Sequence, residues 1–337
     1  MVIPSTMESI HRLIPKVSVL LPARNEEFQI EQVIISLKNQ QYTDFDVWLG
    51  DDQSTDQTLA RMQALCQGDN RFHIVSIPAP SALNPLKGKT NALQYLGDLA
   101  KGELLLLTDA DMDLSPTWIQ TYVDAFEKNP RLGVAVGTTL VRNSHWQSME
   151  WLWVLQGLAL ASTFQLPTTG MGNNMAVHQK AWKAVQGFTQ IPFSIVEDYA
   201  LYHRIIQAGF EFKHLFSDQV LGWTFPPDNL LQQRARWIRG AWKTASPWLI
   251  LTCFTLVLLP LLVCIGLVYP VWGLYLGLAY QVFGTAWGWM GANRIGWKPP
   301  GLVLIFSPWV LPIRLTHQAL HAFFQKQVVW KNRTYDV

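Results

Sequence analysis

Residues 17–56 read VSVLLPARNEEFQIEQVIISLKNQQYTDFDVWLGDDQSTD, and the order of apolar and polar runs within them decides the fold. Residues 17–21 (VSVLL) are short, apolar and rich in β-branched side chains, the composition of a buried strand. Residues 27–38 have helical character, and 46–50 (DVWLG) return to a strand. Reading outward, 56–67 suit a helix, 72–77 alternate like a strand, 90–100 suit a helix, and 103–108 (ELLLLT) suit a buried strand. This alternation predicts an α/β fold: a mostly parallel sheet with helices on both faces.

Ligands of such sheets sit beyond the carboxyl ends of the strands. The first expected strand is followed by Pro22-Ala23-Arg24-Asn25-Glu26 and the second by Asp51-Asp52-Gln53-Ser54-Thr55-Asp56. The fourth is followed by Asp109-Ala110-Asp111, with Asp113 close behind. Three acidic clusters are therefore expected along one edge. Gathered carboxylates repel unless a cation or hydrogen-bond donors compensate them. A divalent ion, Mg²⁺ or Mn²⁺, held by Asp109, Asp111 and a substrate diphosphate suits that set. Ser54, Thr55 or Asp56 can also cap the next helix, which would account for one of them but not for three clusters. Lys87-Gly88-Lys89-Thr90 opens the helix after the third strand, and a lysine at a helix N-terminus suits a diphosphate. A phosphate-binding P-loop is excluded, because Leu83 stands where its earlier glycine is required.

The rest of the chain changes character. Only 15% of the 337 residues are charged and 16 are Trp, while an average domain is about 25% charged. Charges vanish between Lys243 and Arg294. This places a boundary near Ser246 and Pro247, with a catalytic domain over 1–245 and a membrane domain over 246–337. Residues 247–269 and 271–292 are expected to span a bilayer, since about 20 apolar residues cross its core. Tyr269-Pro270 would make the turn between them, and Pro260 a tolerated kink. Residues 301–324 are expected to lie at the interface or form a third span, because Arg314, His317 and His321 interrupt them. A buried hairpin of a soluble protein is the competing reading. Arg234, Arg236, Arg239 and Lys243 before the first span, with Arg294 and Lys298 after the second, put both flanks in the cytoplasm. Residues 1–15 lack the apolar core of a signal peptide. Cys66, Cys253 and Cys264 form no metal-ligand pattern, and a reduced, cytosol-facing domain is expected. The net charge of +2 argues neither for nor against nucleic acid, and no such partner is expected.

With these motifs in order, the sequence resembles the inverting family 2 glycosyltransferases of GT-A fold, in their membrane-anchored branch. The resemblance covers nearly the whole chain. It implies that Ala23, Arg24, Glu26, Asp51 and Asp52 contact the nucleoside and that Lys89 faces the diphosphate. Asp109-Ala110-Asp111 is similar to the metal-binding motif, and Gly170-Met171-Gly172-Asn173-Asn174 to an acceptor-side loop. Glu197-Asp198 resembles the pair whose aspartate is the general base. Gln233-Arg234-Ala235-Arg236-Trp237 matches the Gln-x-x-Arg-Trp motif of ceramide glucosyltransferases and of cellulose and hyaluronan synthases. Trp330-Lys331-Asn332-Arg333-Thr334-Tyr335 is similar to a tail of bacterial membrane members.

These residues imply a single displacement in which Asp198 activates an acceptor hydroxyl, with Glu197 beside it. The metal, Lys89 or Arg236 would stabilise the departing nucleoside diphosphate, with Gln233 and Trp237 at the same site. The expected donor is a UDP-sugar and the expected acceptor a membrane lipid, on a bacterial inner membrane. Residues 146–166, strongly aromatic, would lie along the membrane, wall the acceptor groove or pack in the core. With no span expected before the catalytic domain, processive polysaccharide synthesis is the alternative. A non-catalytic nucleotide-sugar-binding membrane protein and a sugar nucleotidyltransferase are the readings from other classes. The first would be expected to lack Asp111, Asp198 or Arg236, and the second to open with a glycine-rich loop.

Overall fold

The computed structural model describes residues 16–80, 86–191, 196–243, 248–325, 327–330 and 333–336, with side chains undescribed over 241–256 and in the closing hairpin. Residues 1–15, Leu83, the boundary at Ser246 and Pro247, and Lys331-Asn332 lie outside it.

The expected alternation is observed. β1 (Val17–Ala23), α1 (Ile30–Lys38), β2 (Phe45–Asp51), α2 (Thr58–Cys66), β3 (Phe72–Ser76), α3 (Lys89–Leu99) and β4 (Leu104–Thr108) follow one another. Next come β5 (Asp113–Leu114), α4 (Trp118–Lys128), β6 (Leu132–Val136), β7 (Thr138–Val141), α5 (His145–Thr163) and β8 (Asn174–His178). The main sheet has seven strands in the order β3-β2-β1-β4-β8-β6-β9, where β9 is Glu211–His214. Pairs among β3, β2, β1 and β4 are parallel, as is β6 with β9, while β8 runs antiparallel to both neighbours. A smaller sheet joins β5, β10 (Leu221–Thr224) and β7.

The strands show why two helical layers are needed. Leu105 and Leu107 of β4 enter one buried cluster and Leu104 and Leu106 the other, the period-two alternation of a sheet covered on both faces. The same period divides Leu20 from Val19 and Leu21 in β1. In register, Ala23 lies opposite Asp51, and Asp51 opposite Ser76. These strands therefore end together, and their following loops share an edge.

Beyond α6 (Gln179–Val185) and α7 (Glu197–Gln207) the chain is largely helical: α8 (Leu230–Lys243), α9 (Trp248–Val268), α10 (Pro270–Arg294) and α11 (Gly301–Phe324). A terminal hairpin of β11 (Gln327–Trp330) and β12 (Arg333–Asp336) closes it. The turn falls at Tyr269 and Pro270 as expected, with Pro270 in the first helical turn. Pro260 lies inside α9. The 301–324 segment is one helix, α11, which runs through Arg314 to Phe324.

The two spans are not carried over. Among the described residues no helix is long and apolar enough to cross a membrane. In α10, Gly, Trp and Tyr stand where a span would carry aliphatic side chains. Gly284 and Gly288 leave room for Trp153 of α5, so protein covers part of this uncharged stretch. The Trp-rich run of α5 in turn contacts β7 and β9 on one side and α10 and α11 on the other. With neighbours on both sides, α5 needs no polar stripe.

Candidate active site

The loops after β1 and β2 are joined by their own polar groups. Arg24 Nη1 donates to the Asp52 carbonyl oxygen at 2.6 Å. Asn25, with φ of 53°, accepts from the Thr55 N–H and donates its own N–H to Ser54 Oγ. The Glu26 N–H donates to Thr58 Oγ1 at 2.8 Å. Asp56 accepts from the N–H groups of Glu27 and Thr58 and from Thr58 Oγ1, so this carboxylate is used locally at the start of α2. Asp51 differs. Its Oδ2 accepts from the Ser54 N–H at 3.4 Å, while buried Oδ1 has no partner among the described residues. A buried acceptor of this kind is costly unless a donor completes it.

A cavity of about 310 Å³ opens next to this edge. It brings together Lys89, Asp109, Asp111, Glu197, Asp198, Gln233, Arg236 and Trp237 with the 169–173 loop. Ala23, Arg24, Glu26, Asp51 and Asp52 do not line it, and belong to the adjoining strand ends. The three acidic clusters thus share an edge, and of them only the Asp109–Asp111 cluster lines the cavity.

Gly88, with φ of 60°, delivers Lys89 into the first turn of α3. Lys89 Nζ lies 2.5 Å from Asp109 Oδ1 and 3.7 Å from Glu197 Oε1. Burial pulls this ammonium down, but Asp109, Glu197 and Asp198 outweigh it and hold the pKa above its ordinary value. Burial raises Glu197, with Lys89 and Arg236 opposing and Asp198 adding to the rise. Asp111 is raised by burial and by Asp109, against a 2.7 Å hydrogen bond from Thr224 Oγ1.

Asp198, in the first turn of α7, is held differently. Its Oδ2 accepts from the Gly172 N–H and its Oδ1 from the Tyr199 N–H, each at 2.8 Å. A Cβ on Gly172 would meet Asp198 Cβ at 3.3 Å, so the absence of a side chain lets the loop reach this carboxylate. The opposite wall is α5, where Trp151, Val154, Leu155 and Leu158 face the cavity. Trp237 meets Trp151 edge to face at 5.4 Å.

Among the described residues no three His, Cys, Asp or Glu side chains cluster closely enough to hold an ion alone. Asp109 and Asp111 can supply the one or two carboxylates of an ordinary Mg²⁺ or Mn²⁺ site, whose other positions substrate phosphates and water fill. The raised Asp111 carboxyl, buried beside a second acid, is a group that a cation would relieve, so the pair fits such an ion.

Sequence reasoning missed Thr224 and Glu150. The Asp111–Thr224 bond joins residues 113 apart and depends on β10 lying beside β5. Glu150 had a visible signal: it is the lone acidic residue in the aromatic run of α5. It forms a buried pair with Arg234 at 2.9 Å.

The family model described as "Glycosyl transferase family 2" matches residues 18–197. A beta-monoglucosyldiacylglycerol synthase of Nostoc sp. is 26% identical over 250 residues, 70% of this chain and 51% of the relative. A probable glycosyltransferase, YdaM, of Bacillus subtilis is 25% identical over 252 residues, 71% of this chain and 58% of its own length. The chain spans about half the length of the curated relatives it matches. A solved mannosyltransferase from Pyrobaculum calidifontis, in complex with GDP-Man and Mn²⁺, superposes with a TM-score of 0.56 at 18% identity, over 92% of this chain and 87% of that one. At that identity the likeness speaks for a GT-A-like fold. The family match covers more than half of the sequence and includes most of β1, Lys89, Asp109, Asp111 and Glu197, so the chain belongs to glycosyl transferase family 2.

Proposed function

We propose that the protein transfers a sugar from a nucleotide-sugar, a UDP-sugar first, to a hydroxyl of a membrane lipid with inversion at the anomeric carbon. The observation that carries this reading is the cavity itself. It holds Lys89 and the carboxylates of Asp109, Asp111, Glu197 and Asp198, and α5 adds apolar Trp151, Val154, Leu155 and Leu158 beside Gln147 and Glu150. Such a site can hold a diphosphate and a hydrocarbon chain within reach of one base.

In this reading the nucleoside lies at Ala23, Arg24, Glu26, Asp51 and Asp52, where an N–H of the base satisfies Asp51 Oδ1. Asp198 takes the proton of the acceptor hydroxyl as that oxygen attacks, and the two backbone N–H bonds keep its carboxylate aimed. Lys89 and Arg236, with Gln233, bind the diphosphate oxygens as negative charge builds there. Glu197 holds Lys89 and Arg236 in place. Trp237 and Trp151 offer ring faces and edges to the acceptor. Asp109 and Asp111 would hold Mg²⁺ or Mn²⁺, which when bound supplies positive charge to the leaving group.

We assign residues 1–245 to a cytoplasm-facing catalytic domain and 246–337 to an integral membrane domain of a bacterial inner membrane. Exposed Trp272, Tyr275, Phe283 and Trp289 of α10, and Phe306, Phe323 and Phe324 of α11, support contact with lipid. The uncharged sequence of α9, whose side chains are described only from Val257 onward, supports contact with the membrane. The acceptor class draws on the diacylglycerol named for the Nostoc relative.

Polysaccharide synthesis is the second reading. It is favoured by a poly-beta-1,6-N-acetyl-D-glucosamine synthase of Staphylococcus epidermidis, 22% identical over 242 residues. One experiment separates the two: radiolabelled UDP-sugars are supplied to membranes carrying the protein, followed by solvent extraction. Label in the organic phase as a discrete species is expected. Insoluble, high-molecular-weight label would favour the polymer, and no incorporation would overturn the UDP donor and direct the assay to GDP-sugars.

A further inference from the structure

The buried pair on the α5 wall has a consequence for the catalytic end. Glu150 and Arg234 side chains are only 6% and 9% exposed, and Glu150 Oε1 lies 2.9 Å from Arg234 Nη2. The other oxygen, Oε2, faces Arg314 Nε of α11 at 3.8 Å and accepts from the Gln318 amide at 3.5 Å. The Arg234 guanidinium also lies over the Trp237 ring at 4.6 Å and over the Trp151 ring at 5.5 Å. Burial lowers the Arg234 pKa, Glu150 restores part of the loss, and Arg314 lowers it again. One carboxylate therefore holds two guanidinium groups that would otherwise repel each other.

This cluster ties α8 to α5 and α11. Arg234 and Trp237 are one helical turn apart and engage α5. Gln233 and Arg236, also one turn apart, form the adjacent stripe and line the same cavity as Arg234 and Trp237. A rotation of α8 that releases Arg234 must also move Arg236. Arg239 fixes the same helix from its far side, donating through Nε to the Ala322 carbonyl oxygen of α11 at 2.8 Å.

We propose that Glu150 is a positioning residue for glycosyl transfer: by holding Arg234 of α8 and Arg314 of α11 together, it sets the rotation of α8 that presents Arg236 to the diphosphate. The inference rests on the donor-site reading above. It also makes α11 part of the donor site's geometry, although none of its described residues lines the cavity.

The test uses the full chain and reads diphosphate recognition apart from folding. Calorimetry with Mg²⁺ present compares affinities for UDP and UMP in wild type, Glu150→Gln, Glu150→Asp and Arg314→Gln, alongside melting temperature. Glu150→Gln is expected to cut the UDP-over-UMP preference at least fivefold while UMP affinity stays within twofold. Glu150→Asp should recover part of that preference. A merely structural role would lower the binding-competent fraction for both nucleotides equally and leave their affinity ratio unchanged. An unchanged ratio in a folded Glu150→Gln protein overturns the proposal. If that variant does not fold, Arg314→Gln decides: a ratio reduced at least twofold supports the proposal, and an unchanged one overturns it. A wild type that binds neither UDP nor GDP defeats the donor-site reading instead. A wild type that prefers GDP moves the same comparison to GDP and GMP.

Discussion

The two sides of the cavity carry opposite charge on different supports. On the sheet side, Asp109, Asp111, Glu197 and Asp198 sit at a strand end and in the first turn of a helix, with Lys89 among them. On the helical side, Arg234 and Arg236 of α8 line the cavity, and Arg314 stands behind Glu150, which pairs with Arg234. The sheet side is acid-rich and the helical side base-rich. Two such walls repel a ligand of uniform charge and suit one that is itself polarised, such as a nucleoside diphosphate carrying a divalent ion. The difference in support matters as well. Strand-end groups are fixed by the register of the sheet, whereas the helical groups depend on how α8 rotates.

The comparison breaks most sharply at Asp198. Asp198→Asn keeps the side chain's size and its place in α7, but removes the base. Transfer is expected to fall by about 10³-fold, within the span usual for a positioned acid or base. UDP binding should be retained. Radiolabel transfer and calorimetry read the two, and turnover within tenfold of wild type would remove Asp198 from the mechanism.

A smaller loss, roughly 10²-fold, is expected from Asp111→Asn or from a chelator, because either removes charge compensation on the acidic wall. Add-back of Mn²⁺ or Mg²⁺ should restore the chelated wild type but not the variant. Full activity in excess chelator would leave the acidic wall without its assigned cation.

Much of the sheet side was legible because its signals are local. VSVLL, DVWLG and ELLLLT announce strands, and Asp109, Lys89 and Asp198 follow strand ends or helix starts directly. The antiparallel direction of β8 was not legible, since period-two alternation is the same in either direction. Asp111's bond to Thr224 was hidden because it is made across two strands distant in sequence. The helical side was harder for a related reason. A charge-free run looks the same whether lipid or protein covers it, and Trp153 against Gly284 and Gly288 shows protein doing so. Arg236 was marked by its motif, but its orientation depends on Glu150, 86 residues earlier, in a run read only as aromatic.

The loop that reaches Asp198 has a neutral support that sharpens the contrast with the charged walls. His214 of β9 is buried, and its Nε2 lies 2.7 Å from Thr168 Oγ1. Burial pushes its pKa down to about 4, with a hydrogen bond to the Thr169 backbone opposing. In the unfolded chain the ring titrates near 6.5, so the unfolded state takes up the proton first as pH falls. The stability linked to neutral His214 is complete above about pH 6.5 and is lost as pH drops toward 4, amounting to about 2 kcal/mol at pH 5. His214→Gln should flatten that part of the melting-temperature profile between pH 7 and 5. Parallel wild-type and variant profiles would show that His214 is not the group responsible.

The smallest effect expected is at Gly172, where the loop and the acidic wall meet. Its N–H donates to Asp198 Oδ2, and an added Cβ would lie 3.3 Å from Asp198 Cβ and 3.4 Å from Lys89 Nζ. Those contacts are tight rather than prohibitive, so Gly172→Ala should fold and shift its neighbours by a few tenths of an ångström. A 1 Å error in a reacting group costs up to about 10²-fold, so a shift of this size should lower kcat by roughly tenfold. Donor KM should change little, because the crowding falls on the base and not on the nucleoside loops. A rise in donor KM with kcat unchanged would mean that the loop acts through Lys89 instead. The boundary between the acidic wall and the diphosphate site would then run on the other side of Gly172.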